Sequence, residues 1–282
     1  MAATTAASDE LANHHWALRE LPAFPAIATK LLKTLNNDSA NVKQLVDLLR
    51  SDAALSAEIL RRANSAAMGL SSQVSSLQHA ILLLGFEQIR QLAMAVTMST
   101  YFKPAMKIES LQKCWRHSLA TAHLADRIAR GIQFEHDRAY TAGLLHHIGL
   151  FGLMVHYPNE YDEMFRRART QPVDLLQQEQ ALFDLNHCEA GDALAEMWNF
   201  PEEIRQAAAR HHEEPDPSRP DLVAVIVWAS RMAAAIGYDL AKPPVPYQDA
   251  RGSLPERVGA AFPEDPAKLA SELKSKVDAI AA

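Results

Sequence analysis

The sequence predicts an all-α protein built as a two-lobed helical bundle, and three observations favour this fold class. Only ten of the 282 residues are Gly. Apolar residues recur at intervals of three and four positions through most of the chain, as on the buried face of a helix. Runs in which apolar and polar residues alternate between turn signals, which would indicate strands, are absent from the sequence.

A break at Lys103 and Pro104 separates the predicted lobes. We divide the chain into a polar N-terminal segment at 1–19, an N-terminal helical lobe at 20–104, a second helical lobe at 105–240, and a C-terminal loop and helix at 241–282. The apolar content of 48% is normal for a chain that buries a core. No internal repeat is visible.

Turn residues and apolar spacing place the helices of the first lobe. Pro22 and Pro25 can open a first helix, which ends at 36–38. Asp52 can cap a later helix, and Gly85 is the hinge between two more. An apolar stripe predicts the helix before Asp52, at Val42, Leu45, Val46 and Leu49.

The second lobe is predicted to begin near Ser110 and to contain six or seven helices. Its predicted breaks lie at Gly131, Tyr157–Pro158, Thr170–Pro172, Asn199–Pro201 and 213–221. Residues 241–256 are expected to be loop, because they are rich in proline. A closing helix follows, with one apolar face at Leu269, Leu273 and Val277.

Composition limits the classes of function. The net charge is −6, so the whole molecule repels a phosphate backbone and nucleic acid is not an expected partner. Cys114 and Cys188 lack CxxC spacing, which argues against a disulfide framework or a thiolate zinc site. The first ten residues lack a basic signal-peptide start, and no run of about 18 apolar residues occurs. We therefore expect a cytoplasmic protein without membrane contact.

Histidines are the residues in the second lobe that can carry chemistry. Helical bundles build metal sites in their cores from side chains on facing helices, so histidines on several helices can converge there. The six candidates are His117, His146, His147, His187, His211 and His212.

The order of motifs in the chain resembles the HDOD domains, a subgroup of the HD superfamily of metal-dependent phosphohydrolases related to the HD-GYP phosphodiesterases. The resemblance covers roughly residues 20–240. It is carried by LPAFPAI (21–27), SDAALSAEILRRANSA (51–66), SSLQHAILLLG (75–85), WRHS (115–118), AGLLHHIG (142–149), the stretch with His187, MWNFPEEI (197–204) and RHHEEP (210–215).

The resemblance also implies where the chain departs from catalytic members of the superfamily. Those members need a His-Asp pair, which falls on His146 and His147, and a late Asp, which falls near Ser230. A carboxylate can donate oxygen to two cations at once, whereas a neutral imidazole offers one lone pair to one metal. The loss of both carboxylates therefore disfavours an active two-metal hydrolase, and we predict no catalytic residues.

The remaining histidines are numerous enough to hold one divalent ion such as zinc or iron, although we expect no cofactor. Adjacent residues of a helix point about 100° apart. We therefore expect His146 to face inward and His147 not to share an ion with it. A remnant of the ancestral pocket, hydrogen-bonded and metal-free, is the favoured interpretation of the six side chains.

Other patterns receive structural interpretations. Residues 42–67 have the length of a DNA-reading helix-turn-helix, with Arg61 and Arg62 near its end, but its apolar positions are better used in a core. The arginines of FRRARTQ at 165–171 are expected on a solvated face. Asp137, in a literal His-Asp dipeptide, is expected to cap the helix that carries AGLLHHIG.

Taken together, the sequence predicts a regulatory module of bacterial signal transduction that binds a regulatory protein partner or a small signalling ligand. A homodimer is compatible with this prediction. Related domains often follow sensory domains, for which we expect no room ahead of residue 20. The alternative is a phosphohydrolase that acts on a nucleotide or cyclic dinucleotide with one metal held by the histidines.

Overall fold

The computed structural model describes residues 16–18, 24–35, 42–65, 73–103, 105–168, 170, 174–216, 218, 220–240 and 245–281. Within these ranges the chain is helical and contains no strand, which confirms the predicted fold class. Pro22, the helix-ending residues 36–38 and the break at Pro104 lie outside the described residues.

The first group of helices forms the N-terminal part of the fold. It comprises α1 (Ala26–Leu35), α2 (Val42–Arg50), α3 (Ala53–Ala63), α4 (Leu77–Leu84) and α5 (Phe86–Phe102). Asp52 caps α3, because its side chain accepts a hydrogen bond from the Leu55 backbone N–H at 2.9 Å, as predicted. The predicted stripe of α2 is wrong at Val42, which is 43% exposed. Leu45, Val46 and Leu49 of that stripe are buried.

A sharp bend joins α4 and α5. The two helices meet at 120° across Gly85, whose φ of 93° lies in the region that favours glycine. This confirms the predicted hinge. Within the described residues no single helix is long and apolar enough to cross a membrane, although this bent pair passes the same test by length and composition together.

The second group of helices surrounds one long central helix. It comprises α6 (Glu109–Ile132), α7 (His136–Leu145), α8 (Ile148–His156), α9 (Pro158–Ala168), α10 (Leu175–Phe183), α11 (His187–Met197), α12 (Glu202–Arg210) and α13 (Leu222–Ala235). Both α7 and α13 pack along α6, while α11 packs on α8 and α12. The ends of these helices surround the histidines described below.

One predicted break is displaced by one residue, and one predicted loop is wrong. Helix α6 does not end at Gly131 but continues to Ile132, because Gln133 takes the left-handed conformation that ends it. The segment expected to be loop contains α14 (Tyr247–Gly252) and α15 (Glu256–Gly259). Prolines 246 and 255 directly precede these helices instead of preventing them. The predicted closing helix is α16 (Pro266–Ala281), which buries its predicted apolar face against α6.

Contacts cross the predicted boundary at residue 104, which itself stays a prediction. Phe24 stacks on Trp198 with ring centroids 4.8 Å apart.

Asp137 does not cap α7, whose N-cap is Glu135, so that prediction is wrong. Asp137 is instead buried and forms an ion pair with Arg90 of α5, so the literal His-Asp dipeptide contributes to packing between the two groups of helices.

Candidate metal centre

Two glycines position the histidine pair of the GLLHHIG segment. A Cβ on Gly143 would lie 2.9 Å from the Ala122 Cα, so glycine lets α7 lie against α6. A Cβ on Gly149 would overlap the His187 carbonyl and the backbone of Gly191, so glycine also lets α8 touch α11. These close approaches hold residues 146–147 between three helices.

The pair itself lies in a turn between α7 and α8. Because residues 146–147 are not inside a helix, the 100° separation on which the sequence prediction rested does not apply. The His146 and His147 ring centroids are 3.8 Å apart, and both residues are buried. His146 faces inward as expected, but His147 does too, so the expectation that the two side chains do not face the same site is wrong.

The other candidates come from three more helices. His117 lies on α6, His187 is the first residue of α11, and His211 and His212 follow α12. The structure brings all six side chains into one cluster. Neighbouring ring centroids lie between 3.8 and 5.6 Å apart. Only His212 is exposed to solvent; the other five are buried.

Backbone carbonyls fix the tautomer of three imidazoles. The Nδ1 atoms of His117, His146 and His211 lie 2.6, 2.7 and 2.9 Å from carbonyl oxygens of Tyr238, Gly143 and Ala208. A carbonyl can only accept, so each Nδ1 carries the hydrogen and donates it. In the neutral ring the lone pair is then on Nε2, which is the atom left free to bind a metal ion when a carbonyl holds the Nδ1–H.

The Nε2 atoms of His117 and His146 have different surroundings. The His117 Nε2 lies 3.1 Å from the Ser230 hydroxyl, which can donate to it. The His146 Nε2 is buried and has no hydrogen-bond partner among the described residues. An imidazole lone pair that is buried without a donor is unfavourable by itself, and a cation would satisfy it.

Glu179 is a site residue that the sequence reasoning missed. It is fully buried, and its Oε2 accepts hydrogen bonds from the backbone N–H and the Nδ1–H of His187, at 2.8 and 2.7 Å. Its Oε1 accepts from the Tyr161 hydroxyl at 2.8 Å. It precedes His187 by eight residues on another helix, and a turn with an Asn186 capping box brings the two together. The capping pattern Asn-x-x-Glu at 186–189 predicts where α11 begins, but it does not predict that Glu179 lies against that turn.

Burial and mutual repulsion keep most of the cluster neutral. Burial lowers the pKa of His117 to about 4. Although His212 is exposed as a residue, desolvation of its ring against the cluster, followed by the charge of His187, lowers its pKa to about 3. Burial, followed by the charges of neighbouring histidines, holds the pKa values of His146, His147 and His211 well below the usual range. Uncharged imidazoles are the form that binds metal ions.

His187 differs from the rest. Burial disfavours its charged form, but the Glu179 carboxylate and the hydrogen bonds to it outweigh burial and raise the pKa of His187 to about 10. Its Nε2 lies 3.2 Å from the His211 Nε2 and 3.0 Å from the His212 Nε2. A proton on the His187 Nε2 can be shared with these neighbours, and a metal ion would replace that proton.

The donor atoms fit a divalent transition-metal ion. They form two overlapping sets, each with its atoms within 4.8 Å of one another, namely His147, His187, His211 and His212, and His117, His146 and His147. Two nitrogens bound tetrahedrally to zinc at about 2.05 Å lie about 3.3 Å apart, close to the His187–His211 and His187–His212 spacings. Neither set contains a carboxylate.

The two cysteines lie beside the cluster. The Cys114 Sγ is 3.9 Å from the His147 Nδ1, and the Cys188 Sγ is 4.0 Å from the His211 Nδ1. Burial raises the pKa of the Cys114 thiol well above its usual range, so this residue is a neutral thiol that packs against the imidazole.

The fold and this site define a class of protein: an all-helical domain with a cluster of six histidines between its helices. The chain belongs to the HDOD domain family, whose sequence pattern matches residues 21–214. This confirms the resemblance inferred from the motifs.

Solved structures share the fold. An HDOD domain protein of unknown function from Geobacter sulfurreducens has a TM-score of 0.72 and 24% identity, covering 99% of this chain and 96% of its own. A protein from Marinobacter aquaeolei VT8, provisionally named a signal transduction protein, has a TM-score of 0.75 and 21% identity, covering 98% of this chain and 66% of its own. A provisionally named phosphohydrolase from Shewanella amazonensis SB2B has a TM-score of 0.68 and 24% identity, covering 95% and 98%.

The chain also matches two longer curated relatives. An uncharacterized protein of Treponema pallidum is 23% identical over 218 residues, which cover 75% of this chain and 42% of the relative. The protein YuxH of Bacillus subtilis, also uncharacterized, is 28% identical over 125 residues, covering 44% and 29%. The chain thus spans less than half the length of the curated relatives it matches.

Proposed function

We propose that this chain is a non-catalytic regulatory module of signal transduction whose histidine cluster holds one divalent transition-metal ion, such as zinc or iron. The module would transmit a signal when it binds a partner protein or a small signalling ligand. One observation carries the proposal: His147 and Ser230, which replace the two carboxylates of a hydrolytic centre, both lie in the cluster and leave it rich in neutral nitrogen donors. The provisional signal-transduction name of a structural neighbour supports the regulatory part.

The nitrogen set nearest to solvent is the best candidate to hold the ion. The His187 Nε2 lies 3.2 and 3.0 Å from the Nε2 atoms of His211 and His212, and His147 completes that set. Glu179 orients His187 through its Nδ1–H, as carboxylates do behind metal-bound histidines. The bound ion would supply a Lewis acid to a ligand that reaches it past His212.

The missing carboxylates are the reason that we assign no hydrolytic step. A two-metal centre needs an oxygen ligand that bridges both ions and offsets their charge. The His147 ring cannot bridge in this way, because each neutral imidazole has a single lone pair. The Ser230 hydroxyl lies beside His117 and adds no negative charge.

The experiment is a metal analysis of the purified full chain, reconstituted separately with zinc, iron(II) and manganese(II) and then desalted. We expect close to one ion per chain in wild type and a loss of most of it in His187→Asn. His79→Asn is the matched control, because His79 lies on α4, outside the cluster. A wild-type chain that retains no ion would contradict the metal part of the proposal.

A second candidate function is a one-metal phosphohydrolase. The convergence of the Nε2 atoms and the name of the Shewanella neighbour favour it. The same reconstituted samples should be assayed with bis(p-nitrophenyl) phosphate and with cyclic dinucleotides. Turnover that is lost in His117→Ala would establish the hydrolase and contradict the non-catalytic part. Absence of turnover in metal-loaded protein is the expected result.

A further inference from the structure

A cavity of about 610 Å³ lies apart from the histidine cluster, where the two groups of helices and α16 meet. It is bordered by the end of α3, the bend between α4 and α5, one face each of α6 and α7, and the last turns of α16. Its volume falls within the range of small-molecule sites, which is roughly 300 to 1,000 Å³. Because several helices border the cavity, ligand binding there would depend on their relative positions.

The cavity wall combines the start of a helix with cationic side chains. The 17-residue helix α5 begins at its wall, and its N-cap, Gly85, makes no side-chain hydrogen bond to the first turn. The first N–H groups of a helix lack partners within the helix and carry a partial positive charge. Three cationic side chains also line the cavity: Arg62, Arg130 and Lys276.

The three cationic side chains differ in whether a neighbouring carboxylate compensates their charge. Arg62 pairs with Glu58 and donates to the Ala279 carbonyl, and Arg130 pairs with Asp126. Lys276 forms no ion pair within the described residues. Two carboxylates also line the wall: Asp126 pairs with Arg130, whereas Glu87, in the first turn of α5, contacts the His136 imidazole, which offsets its charge only when it is protonated. The ammonium of Lys276 is thus the cation of the wall that has no carboxylate partner among the described residues, and an entering anion could pair with it.

An unpartnered nitrogen points to a polar ligand group. His123 lines the cavity, and its Nε2 is buried without a hydrogen-bond partner among the described residues. Burial, helped by the nearby charge of Lys276, lowers the pKa of His123 to about 4, so the ring is neutral at pH 7. A buried polar atom without a partner is unusual in native proteins, and a ligand would satisfy this one.

The rest of the wall is apolar and aromatic. Its apolar side chains are Leu84, Phe86, Leu92, Tyr140 and Ile280. We propose that this cavity binds a small organic phosphate, with the phosphate at Lys276 and the start of α5, and a planar organic group against the apolar wall beside His123. Aromatic side chains and a few placed polar groups are typical of such sites.

The position of the cavity would link ligand binding to the histidine cluster. Helix α6 carries both His123 and His117, and α7 runs from Tyr140 of the cavity wall to His146. The phosphate site rests on the proposed regulatory function and names a ligand class for it. It does not depend on metal, because the cavity wall contains none of the six clustered histidines.

The test is isothermal titration of the full chain with phenyl phosphate and adenosine 5′-monophosphate, with adenosine and inorganic phosphate as truncated probes. We expect at least one organic phosphate to bind, each truncated probe to bind at least tenfold more weakly, and Lys276→Glu to weaken binding at least tenfold. Lys268→Glu is the matched control, because it makes the same charge change on the exposed face of α16, away from the cavity.

Binding of neither organic phosphate would overturn this inference, as would binding that Lys276→Glu leaves unchanged or adenosine binding as tight as that of its phosphate. Lys276 is exposed, so its replacement should leave the fold intact, which circular dichroism can verify. Metal content measured on the same Lys276→Glu sample separates the two proposals. A failed titration with normal metal content contradicts the phosphate site alone.

Discussion

The Oε2 of Glu179 accepts a hydrogen bond from the Nδ1–H of His187 at 2.7 Å, and both side chains are almost completely buried. A carboxylate that deep in a protein is unfavourable unless it is paired with positive charge. In the metal-free protein that charge is a proton on His187, whose pKa is raised to about 10 despite its burial. A bound metal ion would supply the positive charge instead. The Glu179 carboxylate therefore stabilises either a proton or a metal ion on His187.

Replacing Glu179 by Gln should weaken metal binding by 10- to 100-fold, the usual effect of losing such a partner. Gln keeps the size of the side chain but loses the charge that orients His187. A competition titration of zinc against a chromophoric chelator measures the change. Glu160→Gln, at an exposed position of α9, is the control and should bind zinc like wild type. Equal affinities in wild type and Glu179→Gln would contradict the assigned role.

Much of the fold could be predicted from the sequence, because it depends on local patterns. The Asp52 cap and the Gly85 hinge are properties of a few adjacent residues, and the structure confirms both. The predictions failed where distant contacts decide. Asp137 has the sequence context of a cap, but it pairs with Arg90, 47 positions earlier in the chain. Gly131 stays helical where it faces Val258 across the fold, and a Cβ added there would lie 3.1 Å from the Val258 side chain.

The candidate site, like the fold, could be predicted from the sequence only in part. Motif order identified the six histidines and the position of Ser230 without any knowledge of distances. The directions of adjacent side chains could not be predicted, because a turn between α7 and α8 replaces the regular helix assumed for His146 and His147. Glu179 was missed because its role depends on burial and on a contact between helices, which no local pattern encodes.

The metal-free protein should lose stability as the pH falls below 6.5. A histidine whose folded pKa is lowered favours folding above its unfolded pKa, and this contribution is lost as the pH falls towards the folded pKa. For His117, with a folded pKa of about 4, the loss between pH 6.5 and 4 is about 3 kcal/mol. His187 acts oppositely, since its contribution is present below pH 6.5 and lost as the pH rises towards 10.

Urea unfolding at pH 7.0, 5.5 and 4.5 measures this dependence. The unfolding midpoint should decrease with pH in wild type and decrease less steeply in His117→Gln, which removes one titrating group. His79→Gln, with its substitution outside the cluster, should keep the wild-type slope. The same slope for wild type and His117→Gln would show that burial of this ring does not control acid stability.

Introducing two carboxylates into the cluster should create a two-metal site. The double variant His147→Asp with Ser230→Asp places acidic side chains at the two positions of the cluster where the resemblance to catalytic members of the HD superfamily implies Asp. We expect it to bind a second manganese ion per chain and to hydrolyse bis(p-nitrophenyl) phosphate. The matched control is His147→Asn with Ser230→Asn, which has the same shape without the charge. Equal metal content in the two double variants would contradict the charge argument.

The buried ion pair of Arg90 and Asp137 should stabilise the contact between α5 and α7. Asp137→Asn leaves the Arg90 guanidinium buried without its counterion, so the free energy of unfolding should fall by about 3 to 5 kcal/mol. The double variant Arg90→Met with Asp137→Leu removes both charges and should recover most of that loss. Urea unfolding measures both variants. A double variant no more stable than Asp137→Asn would show that lost packing, not an unpaired charge, dominates.

Gly149→Ala should be the most damaging single methyl addition near the site. Its Cβ would overlap the His187 carbonyl and lie 2.9 Å from the Gly191 Cα, and both are backbone atoms that cannot rotate away. Helix α11 would have to move, and His187 moves with it, so we expect loss of metal binding together with a fall in melting temperature. Gly252→Ala is the control, because its added Cβ meets no atom within 4 Å. That variant should be neutral or more stable by up to about 1 kcal/mol, since alanine favours the helix. Unchanged metal binding in Gly149→Ala would show that α11 can shift without disturbing the cluster.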